Sequence, residues 1–176
     1  MKSDRQFVIP FKGLKIGRHD FMFDIDDMFF DGFEETEIKR GNVKVETRLN
    51  KKVNLLEFDF YIEGVVCIPC DRCLDDFEMH IESENKLFVK FGEQFEEQTD
   101  EIITLSFEEH EIDLSQFIYE YIHLSLPYRR VHPDDENGES LCNKEMLKKL
   151  EEYSIREEEH HDPRWDDLKN LYMNNN

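Results

Sequence analysis

The chain has 176 residues, enough for one domain with a genuine core. Apolar residues make up 39% of it and fifteen phenylalanines are present, a composition that excludes global disorder. The formal net charge of −20 excludes nonspecific coating of RNA or DNA, because such binding depends on cationic side chains.

The charge is unevenly spread along the chain. Residues 1–52 contain eleven Lys or Arg and ten Asp or Glu, whereas residues 53–176 contain eleven and thirty-two and carry a net charge of −21. A basic protein is therefore an easier partner than a nucleic acid, although a plain solvated acidic surface has the same composition. The N-terminal residues lack the apolar run of a signal peptide and no stretch approaches a membrane span, so we expect a cytoplasmic protein.

Much of the first two thirds of the chain alternates apolar and polar residues, a pattern typical of half-buried β-strands. The alternating segments run from Phe21 to Ile25, Val43 to Leu49, Leu56 to Ile62, Phe77 to Ile81 and Leu87 to Phe91. Cysteines interrupt the pattern before Phe77, which predicts a long antiparallel hairpin with the cysteines at its turn. The polar stretch at 92–100 is predicted as a loop, and 102–107 as a further strand.

Beyond residue 112 the apolar period changes to that of a helix. Asp113 and Gln116 have capping-box spacing and Pro127 ends the predicted helix. Residues 129–141 are predicted as an irregular loop, and a short helix follows from Asn143. A last amphipathic helix, with Asp162 as its N-cap, is predicted in the tail.

These patterns predict a single α+β domain over residues 1–176, with strands in residues 5–110 and helices in residues 113–173. We expect a curved antiparallel β-sheet, partly barrel-like, whose long hairpin carries the cysteine tip. One central helix closes the sheet, and two short C-terminal helices complete the domain.

The segment Cys67-Ile68-Pro69-Cys70-Asp71-Arg72-Cys73 has three cysteines at two-residue spacings. A Cys-x-x-Cys tip on a hairpin directs two thiolates at one point, as small zinc sites do. Cys142 is the only other cysteine and lies downstream of His132, so the return of both to the hairpin would close the chain around one ion. Buried reduced thiols without metal and a redox pair stay open, whereas the fourth cysteine followed by proline that favours an iron–sulfur cluster is missing.

The usual local signatures of catalysis are missing from the sequence. It has no Gly-x-Ser-x-Gly elbow, no phosphate-binding glycine loop and no His-Glu-x-x-His pair. We therefore expect a protein that is not an enzyme.

Three pieces of sequence occur in a defined order: Cys70-Asp71-Arg72-Cys73-Leu74, the helix from Asp113-Leu114 to Leu124-Ser125-Leu126-Pro127, and Asp162-Pro163-Arg164-Trp165-Asp166-Asp167-Leu168. In this order and spacing the chain resembles the YceD family of large ribosomal RNA subunit accumulation proteins over about residues 15 to 173. The resemblance implies a role in synthesis, processing or stability of large-subunit 23S rRNA, without a known catalytic activity.

The resemblance also implies a set of metal ligands. Many relatives carry a second Cys-x-x-Cys pair between the central helix and the tail, whereas this chain has only His132 and Cys142 there. The residues at the family's ligand positions are then Cys70, Cys73, His132 and Cys142, with Cys67 as an alternative ligand. Zinc is the ion that such a set implies.

Two functions follow as hypotheses. The first is a non-catalytic ribosome-biogenesis factor that acts through a ribosomal protein or another assembly factor. The second is a specific RNA-binding module with a small zinc site, and a redox or metal-dependent enzyme is a distant third. Candidate partner contacts are Arg72, Arg129, Arg130, Arg164 and Trp165. Candidate RNA contacts, besides Arg129 and Arg130, are Lys12, Lys15, Arg18, Lys39, Arg40, Arg48, Lys51 and Lys52.

Overall fold

A computed structural model describes residues 5–34, 36–93, 96–99 and 101–154 of the protein. The chain divides into two compact units, residues 1–142 and residues 143–176. The assignment of a single domain to the whole chain stays a prediction. Among the helices that the structure describes, none has the length and apolar content that a membrane crossing requires.

The first unit contains eight strands and two α-helices within its described residues. Single turns of 3-10 helix at Arg5–Phe7 and Phe11–Gly13 flank the first strand. In chain order the elements are β1 (Val8–Ile9), β2 (Gly17–Ile25), α1 (Asp27–Asp31), β3 (Arg40–Lys51), β4 (Leu55–Pro69), β5 (Asp76–Gly92), β6 (Glu96–Thr99), β7 (Ile102–Ser106), β8 (Ile112–Asp113) and α2 (Ser115–Leu124).

Six of these strands form one sheet in the order β2-β3-β4-β5-β7-β6, and β1 pairs with β8 in a separate two-stranded sheet. Neighbours in the large sheet are antiparallel except for β5 and β7, which are parallel. The α+β class and the mainly antiparallel sheet are therefore confirmed. In the described part of the chain β2 and β6 are open edges, so there is no closed barrel, and the barrel-like detail is not confirmed.

One face of the sheet supplies the core. Alternate residues of β3 and β4 are fully buried, among them Val45, Leu49, Phe58 and Phe60. Helix α2 packs against this face, and the Tyr121 ring lies 5.2 Å from that of Phe60. Each aromatic or aliphatic side chain buried in this way contributes about 1.5–3 kcal/mol, so the alternating pattern is sufficient to fix which face is inside.

The predicted hairpin is confirmed. Strands β4 and β5 pair continuously from Leu55 opposite Lys90 to Pro69 opposite Asp76. Residues 70–75 form the turn, so the hairpin places Cys70 and Cys73 at the end of the two longest strands.

Two elements differ from the sequence prediction. Part of the stretch predicted as a loop at 92–100 forms β6, and the strand that follows it runs parallel to β5 instead of antiparallel. The alternating apolar pattern does not predict helix α1. Its N-cap is Asp26, whose side chain accepts hydrogen bonds from the Met28 and Phe29 N–H groups. The helix buries Phe29 and Phe30.

The described part of the second unit is one helix, α3 (Lys144–Tyr153). The Asn143 side chain caps it by accepting hydrogen bonds from the N–H groups of Glu145 and Met146, which confirms the short helix predicted from Asn143. The second C-terminal helix, predicted around Asp162, lies outside the described residues.

Candidate metal centre

The turn between β4 and β5 fixes the first two thiols. The Cys70 N–H donates to the Asp75 carbonyl at 3.0 Å, and the Leu74 N–H donates to the Cys70 carbonyl at 2.9 Å. Leu74 has a φ of 63°, in the left-handed region, so the chain reverses sharply just after Cys73. The Arg72 N–H points at the Cys70 Sγ, 3.4 Å away, where it stabilises negative charge on that sulfur.

The loop after α2 brings the other two donors together. An isolated bridge pairs Asp134 with Ser140, and the Leu141 N–H donates to the Pro133 carbonyl at 3.2 Å. Gly138, with a φ of 80°, makes the reversal possible at the end of this small hairpin. His132 and Cys142 therefore lie side by side although nine residues separate them.

The two segments meet at four side chains: Cys70, Cys73, His132 and Cys142. Their ligand atoms all lie within 4.8 Å of one another. The Cys70 and Cys142 Sγ atoms are 3.7 Å apart, and His132 Nδ1 is 3.4 Å from the Cys73 Sγ and 3.9 Å from the Cys142 Sγ. All four cysteines of the chain are free thiols and are buried, and His132 is half-buried.

The three separations of 3.4, 3.7 and 3.9 Å are close to those of a tetrahedral zinc site. With Zn–S bonds of about 2.3 Å and Zn–N bonds of about 2.0 Å, tetrahedral ligand atoms stand about 3.8 Å apart for two sulfurs and about 3.6 Å for sulfur and nitrogen. Three thiols and one imidazole also form a donor set that zinc prefers. The donor types and the three separations of 3.4, 3.7 and 3.9 Å therefore fit a zinc ion.

The electrostatic surroundings of the cluster favour the thiolate form of Cys70, which is the form that binds a metal ion. Burial disfavours the Cys70 thiolate, but hydrogen bonds from the N–H groups of Cys73 and Arg72 and from His132 outweigh it and lower the pKa of Cys70 to about 6. A metal binds the thiolate and not the thiol, so the site already has ligand character near neutral pH. The Phe77 ring, 4.7 Å from that of His132, packs on the imidazole and limits its rotation.

A family match covers this region. The family model described as "Large ribosomal RNA subunit accumulation protein YceD" matches residues 58–172, more than half of the chain. The chain belongs to the YceD family. No curated protein and no solved structure matches the chain at a significant level. All four residues of the cluster lie within the YceD match, which begins in β4 and does not include β1, β2 or β3.

Cys67, the alternative ligand, does not belong to the cluster of ligand atoms. It lies within β4, where it is paired with Arg40 of β3, and the Arg40 Nη2 donates to its Sγ at 3.7 Å. This hydrogen bond raises the pKa of the Arg40 guanidinium. Of the three cysteines in the Cys-x-x-Cys-x-x-Cys run, the structure therefore brings two, Cys70 and Cys73, into the cluster.

The candidate partner residues have different surroundings. Arg130 is half-buried. Its guanidinium pairs with Glu37 and lies 3.8 Å from Asp71, and the Glu37 contact raises the pKa of Arg130. Arg129 is exposed and Arg72 is half-buried at the hairpin turn. Arg164 and Trp165 lie outside the described residues, and a partner role for any of the five stays a prediction.

Most of the candidate RNA-binding cations are engaged within the fold. Lys51 Nζ donates to the carbonyls of Phe11 and Leu14, both at 2.8 Å. Carboxylates hold four more of them: Arg18 and Arg48 at Asp20, Lys39 at Asp76 and Lys52 at Glu57. These five cations thus already have partners within the fold, which the sequence count alone does not reveal.

The sequence reasoning missed one residue of the site, Asp71. Its N–H donates to the Arg130 carbonyl at 2.7 Å and its Oδ2 accepts from the Arg130 N–H at 2.7 Å. Asp71 stands between the two cysteines of the turn, so it fastens the loop that carries His132 to the turn that carries Cys70 and Cys73. Its position inside the Cys-x-x-Cys spacing is the one sequence signal that points to it.

Proposed function

We propose that the protein is a non-catalytic ribosome-biogenesis factor that supports the accumulation of large-subunit 23S rRNA and acts through protein partners. Membership of the YceD family carries this proposal. Synthesis, processing and stability of the rRNA are all steps at which such a factor can act. A role in ribosome biogenesis also implies the cytoplasm as its place of action.

The charge distribution supports a protein partner. A chain with a net charge of −20 repels the phosphates of rRNA, whereas most ribosomal proteins are cationic and are attracted to it. Direct RNA binding has less support, because carboxylates and carbonyls of the fold already hold Lys51, Lys52, Arg18, Arg48 and Lys39. A cation that is paired in the fold releases fewer counterions when it meets a phosphate.

Within this proposal, Cys70, Cys73, His132 and Cys142 bind a structural zinc ion. Four protein ligands complete a tetrahedral zinc site and leave no position for water or substrate, which is the pattern of structural and not of catalytic zinc. The ion would join the hairpin turn to the loop after α2, segments that are about sixty residues apart in the chain. The same closed ligand set supports a protein that is not an enzyme.

The decisive experiment measures rRNA in the organism that encodes the protein. We expect deletion of the gene to lower the ratio of 23S to 16S rRNA, and a plasmid copy of the wild-type gene to restore it. In the same strain, a tagged copy purified from lysate at low salt should retain basic ribosomal proteins or an assembly factor. An unchanged rRNA ratio in the deletion strain would overturn the proposed function.

A further inference from the structure

A groove of about 450 Å³ lies on the first unit between β7, β8 and the first turns of α2. Its floor is apolar and is formed by Val8, Ile103, Leu105, Ile112 and Phe117. Val8 and Phe117 are only half-buried, so part of this apolar surface is open to solvent. The groove is separate from the candidate metal centre and shares no residue with it.

The rim of the groove is acidic. Glu109, Glu111, Asp113 and Glu120 line it, and no Lys, Arg or His does so in the part of the chain that the structure describes. None of the ion pairs among the described residues involves Glu109, Glu111 or Glu120. Glu120 accepts a hydrogen bond from the Gln116 side chain, at 2.7 Å. The charges of Glu109, Glu111 and Glu120 therefore stay available to a partner.

We infer that this groove docks a cationic segment of a protein partner, which inserts an apolar side chain between the β7 floor and α2 and places Lys or Arg side chains on the acidic rim. The inference deepens the proposed function, on which it rests, by assigning the surface that receives a basic ribosomal protein. Apolar contact supplies affinity in such a groove, and the charged rim supplies association rate and partner choice. The volume is at the lower end of the range of about 300–1,000 Å³ for small-ligand pockets, so it accommodates a few side chains of a peptide segment and not a folded domain.

Charge disfavours the other occupants. RNA is repelled by four carboxylates, and a second copy of the chain brings a net charge of −20 to the same rim. Residues 155–176 of the chain contain three Lys or Arg and six Asp or Glu, a net charge of −3, so this segment does not complement the rim either. A cationic segment is the occupant whose charge matches.

The first test uses the full chain and a synthetic probe. The probe is a fluorescein-labelled peptide, Lys-Leu-Arg-Lys-Leu-Arg-Gly, and its binding is measured by fluorescence anisotropy at about 20 mM and about 300 mM salt, where screening of exposed charges differs strongly. We expect binding that weakens at the higher salt, and a loss of at least roughly tenfold when both leucines of the peptide are replaced by serine. In the protein labelled on Ile, Leu and Val methyl groups, the peptide should shift the signals of Val8, Ile103, Leu105 and Ile112. No binding at low salt, equal binding of the serine peptide, or shifts confined to other methyl groups would overturn the inference.

A matched pair of variants tests the rim. The triple variant Glu109→Gln, Glu111→Gln and Glu120→Gln removes three charges. It should weaken binding of the peptide roughly tenfold, because each exposed charge contact contributes about twofold to the affinity. The control triple Glu46→Gln, Glu82→Gln and Glu84→Gln removes the same charge from exposed positions on the sheet and should change binding less than about twofold. Equal losses in both triples would show that only net charge acts and would overturn a defined groove. Sedimentation that shows a dimer of the full chain with contact shifts at the same methyl groups would assign the groove to a second copy and overturn it as well.

Complementation of the deletion strain distinguishes a failure of this inference from a failure of the proposed function. In the deletion strain, the wild-type gene and the control triple should restore the ratio of 23S to 16S rRNA, and the rim triple should restore it less. Full restoration by the rim triple would overturn the groove while the proposed function stands. Failure of the wild-type gene to restore the ratio would instead overturn the proposed function.

Discussion

Asp71 and Arg130 hold each other by two hydrogen bonds in opposite directions, although they are 59 positions apart in the chain. The Asp71 N–H donates to the Arg130 carbonyl at 2.7 Å, and the Asp71 carboxylate accepts from the Arg130 N–H, also at 2.7 Å. Arg130 is two residues before His132, and Asp71 directly follows Cys70. The contact therefore fixes the distance between candidate metal ligands on two segments that are far apart in the chain. It does so through hydrogen bonds within the protein.

Replacement of Asp71 tests this contact. We expect Asp71→Ala to lower the free energy of unfolding by about 0.5–1.5 kcal/mol, because the Arg130 N–H loses its acceptor on the protein. Metal affinity should fall about tenfold or more, as is usual when a residue that orients ligands is lost. Asp71→Asn keeps an oxygen for the N–H and should lie between alanine and wild type. Urea denaturation and competition with a zinc chelator measure the two effects.

The control for that substitution is Glu136→Ala, in the same loop as His132. Glu136 is exposed and forms none of the ion pairs among the described residues, so its loss should change stability by less than about 0.5 kcal/mol. Equal melting temperatures and zinc affinities for Asp71→Ala and wild type would contradict a positioning role for Asp71.

Substitution of single cysteines tests which of them bind zinc. Untagged protein purified without chelator should contain one zinc ion per chain by elemental analysis. The variants Cys73→Ser and Cys142→Ser should lose it, because three donors hold zinc far more weakly than four. Cys67→Ser should keep it, since the Cys67 Sγ is bound by Arg40 and lies outside the cluster. Zinc lost equally from Cys67→Ser, or retained in Cys73→Ser, would contradict the assignment.

The hairpin could be predicted from the sequence because burial of one sheet face imposes a period of two. Leu56, Phe58, Phe60 and Ile62 all follow this period and all are fully buried. Strand β6 could not be predicted in this way. It is an edge strand held by main-chain hydrogen bonds to β7, so its polar sequence carries no signal of burial. The parallel pairing of β5 with β7 follows from the insertion of β7 between β5 and β6.

The candidate site was predictable only in part, for a similar reason. Donor chemistry and spacing point to the cysteines of residues 67–73, to His132 and to Cys142, because few residue types bind zinc, and the resemblance to the YceD family implies the set Cys70, Cys73, His132 and Cys142. Donor chemistry and spacing do not distinguish Cys67 from its neighbours, since the pairing of Cys67 with Arg40 depends on the register between β3 and β4. The contact of Asp71 with Arg130 is equally hidden, because hydrogen bonds between residues far apart in the chain leave no local pattern.

Substitution of Gly64 tests how closely β4 approaches β3. A Cβ at Gly64 would lie 2.4 Å from the Asn42 carbonyl oxygen and 2.5 Å from the Val43 Cα, so β3 and β4 would have to separate. We expect Gly64→Ala to destabilise the protein by about 2–4 kcal/mol in urea denaturation. A Cβ at Gly13 meets no atom within 4 Å, and Gly13→Ala should stay within about 0.5 kcal/mol of wild type. Similar stabilities for the two variants would show that β3 and β4 are less closely paired than described.

Tyr121 makes stability depend on alkaline pH. Burial raises the pKa of Tyr121 to about 12, and its hydroxyl donates to the Lys86 carbonyl at 3.3 Å. Because the unfolded chain ionises near about pH 10, this contribution is complete below pH 10 and is lost as the pH rises toward 12. Wild type should therefore lose on the order of 2 kcal/mol more than Tyr121→Phe over that interval. Tyr128→Phe, at a fully exposed position, should behave as wild type, and parallel curves for Tyr121→Phe and wild type would contradict the burial effect.

Lys51 and Lys52 are adjacent cations with different roles. The Lys51 ammonium binds two main-chain carbonyls, those of Phe11 and Leu14, whereas Lys52 pairs with Glu57 and is largely exposed. We expect Lys51→Met to lower the free energy of unfolding by about 2 kcal/mol, because hydrogen bonds from a charged donor are lost and the carbonyls are left without it. Lys52→Met should cost less than about 1 kcal/mol, as exposed ion pairs do. Urea denaturation of the two variants measures the difference. Equal losses would mean that Lys51 is an ordinary surface cation, and it would then return to the set of charges available to a phosphate backbone.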